Sequence, residues 1–225
     1  MRCFHIKIQM TKNIGGAILL KLKGYVYALC ISLLVLFAVN ASLSLSGVCS
    51  FGVWYAFYIM ILGTVVLFLI DTIVALVVQR LPQKWINPYF WGYKIFRFER
   101  KVYEFFGIRR WKDKIPEMGG ALKKFSKSHL QNHTPQYVYH FITETIYGEM
   151  SHTYSIIAGA FIFLILPHYI LNFALPLFLI NFVLNLLPAM VQRYTRPKLI
   201  KMYQRMLDQT QKMLYNEEQQ EQIVS

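Results

Sequence analysis

The sequence predicts an all-α, polytopic membrane protein with about four transmembrane helices, the last two forming a hairpin, and a cytoplasmic amphipathic helical section. Three observations predict it. The 225-residue chain is 56% hydrophobic and 16% aromatic, with a mean hydropathy of +0.37, too apolar for an ordinary soluble domain. Its apolar residues gather in three long stretches. Its Lys and Arg residues gather in segments that a four-span topology places on one side of a bilayer.

The first two spans are direct readings. GYVYALCISLLVLFAVNASLSL (24–45) and FGVWYAFYIMILGTVVLFLIDTIVALVV (51–78) each exceed the roughly 20 residues a crossing needs. The third apolar region, 156–191, is too long for one span and somewhat short for two. Charge decides it. Five basic residues precede the first span, 13 lie between Arg80 and Lys127, none between 128 and 192, and six follow from Arg193 to Lys212. A hairpin turning near PHYILN (167–172) puts all 24 on one side, the cytoplasm by the positive-inside rule. Its first arm starts near Glu149 and either spans or re-enters, with Pro167 ending it. The division is then 1–79 (basic segment and two transmembrane helices), 80–148 (cytoplasmic and interfacial helical section), 149–192 (transmembrane hairpin) and 193–225 (cytoplasmic helix and tail). The expected location is the cell membrane, multi-pass, with both termini cytoplasmic.

The same distribution explains the net charge of +13 without nucleic acid: these residues flank spans, set orientation and attract anionic lipid. The first span is too long for the h-region of a signal peptide, so an uncleaved anchor is expected. Cys3, Cys30 and Cys49 fall inside, within and outside the membrane, and predict no disulfide. In the cytoplasmic section, Trp91, Ile95, Phe98, Val102 and Phe105 recur at helical spacing, with Lys94, Arg97, Lys101 and Glu104 on another face. This predicts an amphipathic helix at headgroup level. IPEMGG (115–120) interrupts the pattern. A further helix begins after Thr134-Pro135 and feeds the third span, and the polar C-terminal helix is expected to fray into a mostly disordered end.

Chemistry concentrates at the edge of the hairpin. On one helix, His152 lies about 80° from Glu144, and Glu149 about 60° beyond His152, so all three share a face. A carboxylate beside an imidazole suits general-base catalysis; polar residues capping the wet end of a span give the same pattern. Asp71 lies inside the second span, either as a functional acid or snorkelling to the cytoplasmic edge. Arg193 and Arg196 in QRYTRPKL (192–199) meet the same edge, as anion-binding forks or as topology anchors. His129 and His133 in HLQNH are spaced as a metal pair but lack the Glu of HExxH, and no metal site is expected. Nothing marks a serine or cysteine nucleophile.

Three ordered stretches, RRWKDKIPE (109–117), ETIYGEMSH (144–152) and VQRYTRPKL (191–199), together with RLPQKW after the second span, resemble the glycosyl-diaponeurosporenoate acyltransferase family. These are small membrane enzymes that complete staphyloxanthin-type carotenoids. The resemblance runs from about Arg80 to Leu199; Glu144, Glu149 and His152 match its Glu, Glu and His, and Arg193, Tyr194, Arg196 and Pro197 its Arg-Tyr-x-Arg-Pro run. The first span, the basic N-terminus and the long tail depart from the pattern, so another glycolipid acceptor is also compatible.

The resemblance implies transfer of a fatty acyl chain to a sugar hydroxyl of a glycosylated carotenoid or related glycolipid. No cofactor is expected beyond the acyl donor, such as acyl-CoA, as co-substrate. The partners are membrane lipid, the glycosylated acceptor and the donor. On this reading His152 takes the hydroxyl proton and Glu149, or Glu144, orients it. Arg193, Tyr194 and Arg196 bind donor phosphate or the oxyanion, Trp111, Lys112 and Lys114 bind the donor at the interface, and Asp71 contributes to substrate binding. The rival classes are a non-enzymatic lipid-binding scaffold, which would need the aromatic-basic helix but not His152, and another lipid-modifying enzyme such as a membrane methyltransferase.

Overall fold

The computed structural model describes the backbone of residues 2–115 and 134–224, and side chains over 23–115 and 134–220. The described residues are predominantly helical, without strands. Helix α1 covers Arg2–Leu45 and α2 Val53–Gln79. Two 3-10 turns, Gln83–Trp85 and Trp91–Tyr93, lead to α3 (Arg97–Phe105) and α4 (Ile108–Trp111). Helix α5 (Pro135–Gly159) is followed by the short α6 (Ile162–Ile165), a 3-10 turn (Pro167–Tyr169) and a π-helical turn (Ile170–Ala174), and α7 then runs from Leu175 to Val224. Four segments are long and apolar enough to cross a membrane: Lys23–Leu45, Val53–Gln79, Pro135–Ile165 and Pro167–Gln220.

The third apolar region is thus a hairpin whose tip lies at 160–174. Helix α5 starts where Thr134 accepts a hydrogen bond from the Tyr137 amide (3.3 Å), with Pro135 in the first turn where no amide proton is needed. It passes through residue 148 without a break, so the edge of the membrane is not an element boundary.

Small residues let the spans approach. A Cβ on Gly63 would stand 2.5 Å from Leu177 Cδ1, and one on Gly159 2.6 Å from Asn181 Nδ2. The core at the tip end joins Leu36, Ala56, Met60 and Leu67 to Ile162, Phe173 and Leu177. At the basic end, Val138, Phe141 and Ile142 of α5 pack on Leu199 of α7. Pro188 inside α7 cannot donate to the Leu184 carbonyl, and the Tyr25 hydroxyl of α1 donates to that oxygen instead (3.3 Å).

Two expectations change. The amphipathic helix begins at Arg97 rather than near Trp91, because the carbonyls of Gly92, Tyr93 and Lys94 face arginines of α7 instead of closing helical turns. The aromatic side chains of the interfacial section still point outward: Trp85 and Trp91 before the helix and Phe98 and Phe105 on it are 67–86% exposed, as a headgroup-level belt requires. The C-terminal tail is helical through Val224 rather than disordered. His129, His133 and most of IPEMGG lie outside the described residues.

Candidate active site

The basic ends of α5 and α7 are locked by charge. Glu149, a buried side chain, places Oε1 2.6 Å from Arg193 Nη1 and Oε2 2.5 Å from Arg196 Nη2. The first contact is an aligned hydrogen bond; the second is an ion pair without hydrogen-bond alignment. Arg193 also pairs with Glu99 of α3 and donates to the carbonyls of Gly92 (2.9 Å) and Lys94 (3.1 Å). Arg196 is fully buried and donates to Thr145 Oγ1, the Thr145 carbonyl and the Tyr93 carbonyl at 2.9–3.0 Å. Two carboxylates and two guanidiniums make the cluster neutral, as burial demands. Beside it, Tyr194 donates to Glu104 Oε1 (3.2 Å) and accepts from Arg109 (3.2 Å). Arg109 foremost, and then Arg100, hold the Glu104 carboxyl below its usual range. Burial, reinforced by the hydrogen bond to Glu99, pushes the Tyr103 phenol up.

Deeper in the membrane region, a second polar group forms one wall of a cavity of about 620 Å³ between α1, α2, α5 and α7. His152 Nδ1 lies 2.9 Å from Asn185 Oδ1. The Asn185 amide nitrogen donates to Asp71 Oδ2 (3.0 Å) and to the side-chain and main-chain oxygens of Asn181 (2.8 and 3.1 Å). Ser155 is a further polar neighbour of Asp71. Asp71 Oδ1 and Asn181 Nδ2 are buried without a partner of good geometry, a cost that a fold built for stability alone would avoid. Asp71 lies eight residues before the end of α2, so this group sits about 12 Å inside the basic edge. Leu29, Leu33, Leu67 and Leu177 give the cavity its apolar wall, and Gln79, Glu144 and Gln192 a polar rim near the basic edge.

The structure therefore brings His152 and Asp71 together and sends Glu149 elsewhere, to Arg193 and Arg196. Glu144 stands at the rim, 3.8 Å from His140. Trp111 packs against Ile108, Met190 and Tyr194, and its indole donates to the Phe106 carbonyl. Lys112 pairs with Asp113 and Lys114 is exposed. Asn185, Asn181 and Glu99 join the site without being among the residues the sequence predicts. Two asparagines four apart in an apolar run, NFVLN, were the available signal for the first pair. Among the described residues, no three His, Cys, Asp or Glu side chains group as metal ligands.

These features define an α-helical, multi-pass membrane protein whose spans enclose a largely apolar cavity with a histidine in its wall. The family model for glycosyl-4,4'-diaponeurosporenoate acyltransferase matches residues 82–205, slightly more than half the chain. The chain belongs to this family and is an acyltransferase. No curated protein and no solved structure matches it.

Proposed function

We propose that the enzyme esterifies a sugar hydroxyl of a glycosylated carotenoid, or of a closely related glycolipid, with a fatty acyl chain drawn from a thioester such as acyl-CoA. The family supports the acyl transfer, and one observation carries the reading of the site: His152 stands in the wall of a largely apolar cavity at membrane depth, anchored through Nδ1. His152 Nε2 takes the proton of the acceptor hydroxyl as its oxygen attacks the thioester carbonyl carbon. The tetrahedral intermediate then collapses, the carbon–sulfur bond breaks, and the leaving thiolate takes the proton back from the imidazolium. The products are an ester and a free thiol, and the histidine ends neutral.

The apolar wall receives a lipid chain, and the polar rim of Gln79, Glu144 and Gln192 receives the sugar. Arg193 and Arg196 are engaged by carboxylates and carbonyls, so we assign them to holding the loop at 92–94 rather than to binding donor phosphate. Exposed Lys114 and Arg110, on the same basic side, are better placed for the donor. The basic side faces the cytoplasm, with both termini there, and the protein resides in the cell membrane.

The test is to reconstitute the purified enzyme with a labelled fatty acyl thioester and a panel of glycosylated lipids, and to identify products by mass spectrometry. An ester on the sugar of a carotenoid glycoside is expected. Acylation of a lipid without a sugar, and of none with one, would overturn the proposal.

A further inference from the structure

We infer that Asn185 and Asp71 are the residues that position His152, fixing which of its ring nitrogens carries the proton. The inference rests on the reading of His152 as the base. The orientation of the Asn185 amide is determined by its neighbours. The Asn181 main-chain oxygen can only accept, and it lies 3.1 Å from one amide atom of Asn185, which must then be the nitrogen. The same atom faces Asp71 Oδ2 at 3.0 Å and Asn181 Oδ1 at 2.8 Å, both acceptors. The carbonyl oxygen of the Asn185 amide is left to face His152 Nδ1 at 2.9 Å. A carbonyl oxygen only accepts, so Nδ1 carries the proton and Nε2 of the neutral ring keeps its lone pair. Asn185 is thus an orienter of the kind a carboxylate provides in a Ser-His-Asp triad, with the charge of Asp71 held one amide further away.

The interposed amide has a chemical consequence. Asp71 stabilises the imidazolium electrostatically across the amide, whose oxygen rather than the carboxylate accepts from Nδ1. Three spans hold this chain: Asp71 is on α2, His152 on α5, and Asn181 and Asn185 on α7. Gly159 on α5 makes it possible, because any larger residue there would displace Asn181. Asp71 lies outside the residues that match the family, whereas His152 and Asn185 lie within them. The other titratable groups facing this cavity are Tyr25 on α1 and Glu144 and Tyr147 on α5.

The experiment combines two readouts on the full-length enzyme in lipid. Nitrogen NMR of histidine-labelled protein reads the ring tautomer directly, and His152 is assigned by its loss in H152A. The unaltered enzyme is expected to show the Nδ1–H form, and the Nε2–H form would overturn the inference without any variant having to fold. Asn185→Ala should mix the tautomers and lower kcat roughly 10- to 100-fold, a part of the 10²–10⁴ that general-base catalysis supplies. Asp71→Asn should keep the tautomer but remove the negative charge, so the imidazolium is less favoured and the acid limb of kcat/KM moves to lower pH. An unmoved acid limb in Asp71→Asn, or kcat within twofold of the parent in Asn185→Ala, would also overturn it. Activity in H152A would instead remove the base reading itself, so the two failures are distinguishable.

Discussion

Glu149 and Arg196 form a buried ion pair, Oε2 to Nη2 at 2.5 Å, across the two feet of the hairpin. Arg196 is fully buried and Glu149 nearly so. The pair, extended through Arg193 to Glu99 and to the carbonyls of the loop at 92–94, fastens the interfacial section onto the spans. This relationship separates two roles that share one short stretch: Glu149 builds the frame, and His152, three residues on, faces the cavity.

Removing one partner of such a pair leaves a buried charge alone. Glu149→Ala is expected to destabilise the folded protein by roughly 3–5 kcal/mol. Thermal unfolding in detergent would show it as a lower Tm and faster loss of structure. The same fall in Tm is expected for Arg196→Ala. A Glu149 variant with parental stability but no activity would mean that this carboxylate works in the chemistry.

The Glu104 contact with Arg109 and Tyr194 should weaken in acid. Its folded carboxyl is depressed below the ordinary 4.5, chiefly by the hydrogen bond from Arg109. A depressed carboxyl contributes stability that is fully present above its unfolded value and lost as pH falls through the folded value. Stability measured downward from pH 5 should therefore fall in the parent, and Glu104→Gln should remove part of that slope and lose the same small amount of stability at neutral pH, small because the side chain is only partly buried.

Chain length should be readable from the cavity wall. Leu29 and Leu33 of α1 line it. Replacing either with Trp fills part of the roughly 620 Å³, and competition between acyl donors should shift towards shorter chains without loss of turnover for the shortest. Unchanged donor preference in both variants would place the acyl chain elsewhere.

Gly159 sets a positional limit. An Ala there would bring Cβ to 2.6 Å from Asn181 Nδ2, and that amide must shift. Asn181 accepts from Asn185, so Gly159→Ala is expected to lower kcat severalfold while Tm changes by only a few degrees. Activity and circular dichroism melts on the same preparation check both.

Much of this was legible in the sequence. Hydrophobic length and the one-sided distribution of Lys and Arg gave four spans and the hairpin, because the bilayer imposes both on any chain. Asp71 could be nominated because an ionisable group in an apolar segment is costly, and His152 because it shares a helical face with Glu144 and Glu149. What could not be read was pairing. Helical spacing put Glu149 near His152, but it says nothing of what a neighbouring helix offers, and Arg193 and Arg196 supply a stronger partner than an imidazole. Likewise the helix expected from Trp91 onward fails because those carbonyls have tertiary donors. Asn185 is not legible in the sequence because neutral amides leave no mark on a charge count, and its four-residue spacing from Asn181 is the sole trace of the pair.

The central claim is that His152 takes the proton of the acceptor hydroxyl, and His152→Ala tests it most directly. Single-turnover transfer from a labelled acyl thioester to the glycosylated acceptor would be measured for parent and variant, with insertion and Tm as controls. The rate is predicted to fall by about 10²–10⁴ in a variant that inserts and melts like the parent. A rate within severalfold of the parent would contradict the account.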